Sequence, residues 1–311
     1  FHMRSEGSGL IEAVEEVIEV ARKTGVHVHI SHLKAAGEKN WPKIDTVFQK
    51  IEAAQAEGLQ ITADAYPYTA SFAELGTVLP SSLYEDPNRL QRLTGPEERE
   101  KTLAFLRDHY EKNPVHWENI RIATVTQVEN QPYQGKSLAQ IAEETKKPPI
   151  EILADLLGKE EFRVSAFFFS QNEDVVNKIL SKPYVAVGSD SIADGSAMPH
   201  PRAFGTFPKI LAACSKEGDN VLTHSCWGGA IRRMTGLPAR IFGLKGRGKI
   251  GTGLYADLIL FDPKTLKDKA SFENPNILPE GLLWVFVNGK PTVRQGKYDP
   301  IHSGVFITGE G

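Results

Sequence analysis

Apolar residues recur at helical spacing over residues 9–24, where Leu10, Val14, Val17, Ile18 and Ala21 share one face and Gly25 follows as a stop. The next run, Val26-His27-Val28-His29-Ile30-Ser31-His32, alternates strictly and predicts a strand. One of its faces is aliphatic; the other carries imidazoles and a hydroxyl. Trp41, Ile44, Phe48, Ile51 and Ala54 predict a second helix over about 41–57, ended by Gly58, and Leu59–Ala65 predicts a second strand. Strands and helices joined by such short connections are the βαβ pattern of a parallel sheet.

Residues 72–160 break this rhythm. Pro80, Pro87, Pro96 and Pro114 punctuate the segment, a charged helix is expected near 96–112, and Pro148-Pro149 divide a helix pair over 137–157. Ser137 and Gln140 have capping-box spacing. The segment reads as an insertion that decorates the scaffold. The rhythm then resumes with a strand at 162–169, a helix at 172–180 and a buried strand at 184–188 that ends in Ser189-Asp190-Ser191. Helices are expected near 205–217 and 225–235. From residue 246 onward, glycines and short apolar runs predict a small all-β element, with an Asn288-Gly289 hairpin turn. There are no internal repeats.

Length and composition narrow the classes. The chain has 311 residues and a formal net charge of −3, enough for one large α/β domain (1–245) and a smaller one (246–311). A dedicated nucleic-acid binder carries a basic excess that is absent here. No apolar run is long enough for a transmembrane helix. Two cysteines, Cys214 and Cys226, cannot build a disulfide framework. The chain opens Phe1-His2-Met3 without an initiator methionine or signal-like segment, so residues are expected to precede it; a cytoplasmic location is the default expectation.

In parallel α/β folds the chemistry sits at the C-terminal ends of the strands. Those ends carry His2, His32, Asp64 and Asp190. Two imidazoles at successive strand ends and an aspartate at the last make a metal-site pattern. Singly, each has a plainer reading: a strand-end histidine is commonly a satisfied polar residue, and Asp190 could cap a turn. His27 and His29 are assigned structural roles. His109, His116 and His302 read as solvated, and His224 as a residue at a helix N-terminus. Lys34, two residues past His32, shares its face and suits an anionic substrate group, although a solvated charge is the alternative.

The runs His2-Met3-Arg4-Ser5-Glu6, Ser31-His32-Leu33-Lys34, Asp64-Ala65-Tyr66-Pro67-Tyr68-Thr69-Ala70-Ser71, Gly188-Ser189-Asp190 and His200-Pro201-Arg202-Ala203-Phe204-Gly205-Thr206 resemble the N-acyl-D-amino-acid deacylases of the amidohydrolase superfamily. So does the tail from Met234 to Asp262. The resemblance covers nearly the whole chain and is weakest over 72–160. It implies a metal-dependent (β/α)8 barrel joined to a small β-sandwich. The family's strand-1 His-x-His pair and early-strand cysteine ligand find no match, since nothing precedes His2 in that pattern and both cysteines follow the last barrel strand. The chain is therefore expected to be the C-terminal part of a longer enzyme, about the last four barrel strands, and a poor catalyst alone.

The resemblance implies one or two zinc ions, with His2, His32 and Asp190 as ligands and Asp190 as the general base that returns its proton to the leaving amine. The implied partner is a small N-acyl amino acid, hydrolysed to a carboxylate and a D-amino acid. Lys34 and Arg202 would grip its α-carboxylate, and Tyr66 and Ser71 would add hydroxyl donors. The plain alternatives are a loop salt bridge for Arg202 and core packing for Tyr66. Phe72 follows Ser71 where the family commonly places a hydroxyl. Two other functions stay open: a cyclic-amide hydrolase (dihydroorotase or hydantoinase type) or dipeptidase of the same superfamily, and a truncated homologue without activity.

Overall fold

The computed structural model describes residues 1–192, 198–214 and 226–307; the expectation for His224 lies outside them. Three short strands, β1 (Val28–Ile30), β2 (Ile61–Ala65) and the later β6 (Val185–Val187), form a parallel sheet in the order β1-β2-β6. The main chain of Phe1 bonds to His29 O and Ser31 N, so the residue before His2 runs beside β1 as a further sheet position.

Val28, Ile30, Ile61, Ala63, Ala65, Val185 and Val187 turn to the helices Leu10–Thr24, Lys43–Ala56, Glu173–Ser181 and Cys226–Met234, and one apolar core fills the gap. The helix-facing periodicity of the first helix holds, and Gly25 ends it in the left-handed region at φ 70°. The opposite face of the strands is polar. There His27 and His29 share Thr62 Oγ1, at 2.9 and 2.8 Å, and His29 Nε2 meets Asp64 Oδ2 at 2.7 Å. Period-two alternation thus separates a packed face from a hydrogen-bonded one.

Between β2 and β6 lies a second body. β3 (Ala70–Glu74), β4 (Ile120–Thr124) and β5 (Ser165–Phe169) form an antiparallel sheet in the order β3-β5-β4. The strand expected at 162–169 forms as β5, but it does not resume the parallel rhythm. Ala70 pairs with Phe169 and Glu74 with Ser165, so β5 closes the decorating segment instead. A strand's local pattern fixes its faces, not its partner or direction. Helices Pro96–Lys112, Leu138–Thr145 and Pro149–Lys159 cover this sheet around a separate core that includes Leu103, Leu106, Ile122, Leu138, Leu153 and Ala166. The capping box is present: Gln140 N donates to Ser137 Oγ and Ser137 N to Gln140 Oε1.

The chain ends in a four-stranded antiparallel sheet of β7 (Leu258–Phe261), β8 (Leu282–Val287), β9 (Lys290–Arg294) and β10 (Lys297–Tyr298), ordered β10-β9-β8-β7. The β8–β9 turn is the expected Asn288-Gly289, with both residues at positive φ (50° and 77°), which is why glycine serves there. The described residues form one sheet of this C-terminal element, the portion of a β-sandwich that was expected, with Ile259 and Leu260 exposed.

Candidate metal and substrate site

The parallel sheet delivers its chemistry at one end. The chain leaves β1 through His32, whose φ of 39° lies in the left-handed region, and leaves β6 through Asp190 at φ 49°. Such backbone is costly for a side-chain-bearing residue and persists only where its surroundings hold it. For His32 the holder is visible: its N–H donates to Asp64 Oδ1 at 2.9 Å. Asp64 in turn needs Gly188 opposite, because a Cβ there would stand 3.0 Å from the same oxygen.

Held in this way, His32 turns Nε2 to His2 Nδ1 at 2.8 Å, with the two rings nearly edge to face. At its other nitrogen, Nδ1, His32 meets Glu6 Oε1 at 2.9 Å and Lys34 Nζ at 2.7 Å, and Lys34 Nζ reaches Glu6 Oε1 at 2.5 Å. Among the described residues, His2, Glu6 and His32 form the one group of three whose ligand atoms lie within 4.8 Å of one another. Two neutral-capable imidazoles whose nitrogens face each other are donors that zinc takes, so His2 and His32 fit that ion.

Burial opposes the Glu6 charge, but the hydrogen bonds from His32 and Lys34, with the Lys34 charge, outweigh it and hold the carboxyl down at about 2. Burial lowers Lys34, and Glu6 restores part of the loss. Lys34 is only 3% exposed, so it is not the solvated charge that the sequence allowed. A buried ion pair of this kind is poor evidence of stabilisation, since desolvation costs about what the attraction returns.

Asp190 is not in the His2–Glu6–His32 group. Its Oδ2 lies 2.8 Å from Arg202 Nη1, and its charge is felt at Lys34 and Tyr66. Arg202 is buried, and its guanidinium lies 4.7 Å from the centroid of the Tyr66 ring, with Lys34 Nζ 5.9 Å from the same centroid. Tyr66 is thus the floor between two cations, and burial raises its hydroxyl well above the usual range. Ser71 stands apart on β3 opposite Phe168, with no hydrogen bond from its hydroxyl into the cluster among the described residues.

Two contributors escaped the sequence reading. Glu6 lay inside a quoted run without a role; a carboxylate four residues past a strand-end histidine, still in the βα loop, was the available signal. His200 is the other. Its Nε2 meets Ala70 O and its Nδ1 accepts from Arg202 N, both at 3.0 Å, tying the start of helix Arg202–Cys214 to β3. Burial, with the nearby Arg202 charge, pushes this imidazole down to about 3. His27 and His29 sit below the site in the Thr62–Asp64 ladder.

A model of the amidohydrolase family matches residues 91–293. The chain is 31% identical to a D-aminoacylase of Alcaligenes xylosoxydans xylosoxydans, over 97% of this chain and 53% of that protein. A solved D-aminoacylase structure, described for its binuclear metal centre, superposes with a TM-score of 0.74 at 30% identity, over 97% of this chain and 54% of the other. An N-acyl-D-glutamate deacylase from Bordetella bronchiseptica, solved with zinc and a phosphonate inhibitor, superposes with a TM-score of 0.74 at 29% identity, over 94% of this chain and 52% of the other. The chain spans about half the length of the relatives it matches. Its parallel strands and flanking helices are a portion of a (β/α)8 barrel, followed by a C-terminal sheet.

Proposed function

The chain belongs to the amidohydrolase family, and from that premise we propose that it carries part of the active site of a zinc-dependent enzyme that hydrolyses the amide bond of N-acyl-D-amino acids. The observation that carries the reading is the convergence of His2 Nδ1 and His32 Nε2 at 2.8 Å, beside two buried cations, Lys34 and Arg202. The deacylase names and the zinc of the solved relatives support the same reading. In this reading residues 1–245 are the barrel portion, with an insertion between β2 and β6, and residues 246–311 are the C-terminal element.

His2 and His32 would hold the ion, with Asp190 as a further ligand. When bound, zinc supplies Lewis acidity toward the amide carbonyl and makes water a competent nucleophile near neutral pH. Asp190 takes the proton of the attacking water. It then delivers that proton to the amine that leaves as the carbon–nitrogen bond breaks. The Arg202 guanidinium lies beside it at an ion-pair distance of 2.8 Å. Arg202 and Lys34 offer the positive charge that an α-carboxylate requires, and Tyr66 beneath them excludes water from that subsite.

The test is to equilibrate the protein with zinc, measure bound metal, and assay release of free amino acid from N-acetyl-D- and N-acetyl-L-amino acids and ring opening of dihydroorotate. The expected result is zinc that is lost in His2→Ala and His32→Ala, with slow turnover confined to the D-series. Preference for the L-series or for dihydroorotate, or a chain that takes up no zinc, overturns the reading.

A further inference from the structure

The reaction above gives no work to Glu6, yet Glu6 makes the shortest polar contact of the cluster. Its Oε1 lies 2.9 Å from His32 Nδ1 and 2.5 Å from Lys34 Nζ. Lys34 Nζ also stands 2.7 Å from the same ring nitrogen. An ammonium can only donate a hydrogen bond and an ionised carboxylate can only accept one. His32 Nδ1 therefore has two mutually exclusive partners. If Lys34 donates into it, the ring proton sits on Nε2. If Glu6 accepts from it, the proton sits on Nδ1 and the Nε2 lone pair is free. Nε2 is the atom that faces His2 Nδ1 at 2.8 Å.

The backbone of His32 is fixed by a different group, through its N–H to Asp64 Oδ1 at 2.9 Å. Asp64 thus places the residue, while Glu6 meets its ring. The carbonyl of Glu6 is itself anchored, accepting from Ala36 N at 2.7 Å, so the loop that carries the carboxylate is tied to the segment just past Lys34.

Resting on the metal reading given above, we propose that Glu6 is a positioning residue: it accepts the Nδ1 proton of His32 and draws the Lys34 ammonium to itself, so that His32 keeps its Nε2 lone pair directed at the metal. Carboxylates that take the second ring proton of a ligating histidine set its tautomer and raise its basicity. Here the same oxygen also removes a competing donor. With Glu6 absent, Lys34 turns to Nδ1, the ring proton moves to Nε2, and the ligand atom is blocked.

The experiment measures zinc affinity by competition with a chromophoric chelator for the chain and for Glu6→Ala, Glu6→Gln, and Glu6→Ala combined with Lys34→Met. Glu6→Ala is expected to weaken zinc binding about 10–100-fold, and Glu6→Gln less, because the amide oxygen still accepts. Removing Lys34 in the Ala background is expected to recover most of the loss, since the competing donor is gone; a merely structural role for Glu6 predicts no recovery. Zinc affinity in Glu6→Ala within twofold of the parent, or a double variant as weak as the single one with both folded by circular dichroism, overturns the proposal. Should the Ala variant not fold, Glu6→Gln against the parent carries the comparison. Histidine-selective ¹⁵N NMR of the zinc-free chain reads the tautomer directly: the Nδ1–H form of His32 is expected in the parent and the Nε2–H form in Glu6→Ala. An unchanged tautomer overturns the proposal. A Glu6-dependent tautomer in a chain that binds no zinc overturns the metal reading instead and leaves the role of Glu6 standing.

Discussion

The barrel portion holds a partly buried carboxylate and the antiparallel insertion a fully buried one, and the two are satisfied in opposite ways. Glu160, in the insertion, has no exposed surface. It accepts from Thr126 N at 2.6 Å, Thr126 Oγ1 at 2.7 Å, Gln127 N at 3.2 Å and Asn130 Nδ2 at 2.6 Å. Burial raises that carboxyl, but the Asn130 and Thr126 donors, with the backbone N–H of Gln127, overcome it and hold it below the ordinary range. Every partner is a neutral donor that neither titrates near neutrality nor ligates a metal. Glu6, in the barrel portion, is satisfied instead by an imidazole and an ammonium. The first arrangement pins a loop to the end of helix Pro149–Lys159 and stops there. The second leaves groups with proton-carrying and ligating capacity in mutual contact. Burial of a charge is therefore no mark of function by itself; the chemistry of the partners makes the difference.

The contrast is sharpest where activity and stability should separate. The largest expected effect is on activity: Asp190→Asn is predicted to lower kcat by about 10²–10⁴-fold, the range for loss of a general base, with the urea midpoint nearly unmoved. Steady-state kinetics and a urea melt on the same preparation check it. An unfolded variant would put Asp190 with Glu160 as a structural acid.

Glu160→Gln should do the reverse. It places an amide nitrogen against donors and is predicted to cost about 2–3 kcal/mol of stability, read from chemical denaturation, with zinc content unchanged. That cost has a pH signature. The folded-state pKa of Glu160 is depressed, so its contribution is complete above the ordinary carboxylate range and fades as pH falls through the folded value. Altered zinc content in this variant would break the separation of the two regions.

His200 joins the regions and tests their coupling. Its folded-state pKa of about 3 lies below the ordinary 6.5, so the unfolded chain takes up the proton first. Stability is then full above pH 6.5 and falls as pH drops toward 3, by roughly 2 kcal/mol between pH 7 and 5 from this residue alone. Urea melts across that interval should show the slope, and His200→Gln should flatten it. The smallest effect is expected at the capping box, where Ser137→Ala should cost about 1 kcal/mol within the insertion and leave turnover untouched; thermal melts and the deacylase assay together decide this.

Much of the scaffold was legible because its signals are local. Leu10 to Ala21 mark one helix face with Gly25 as its stop, Ser137 and Gln140 mark a helix start, and Asn288-Gly289 marks a hairpin. Strand ends were legible too, and with them His32, Asp190 and the neighbouring Lys34. The failures are non-local. The strand at 162–169 was recognised, but its antiparallel pairing to Ala70–Glu74 depends on residues almost a hundred positions away. The runs of β7 and β8 and the Asn288-Gly289 hairpin are legible, whereas the short β10 strand, which pairs only with β9, carries no comparable local signal.

The elements, their buried faces and the residue types at the strand ends follow from local pattern, because helix and strand periodicities are imposed by backbone geometry within a few residues. Which groups meet is a matter of long-range packing. It brings Glu6 to the far nitrogen of His32, sets Arg202 beside Asp190 and over the Tyr66 ring, and ties His200 between Ala70 O and Arg202 N. Contacts such as these arise from packing distant segments together, and ring orientation, proton position and the burial of Lys34 follow from that packing.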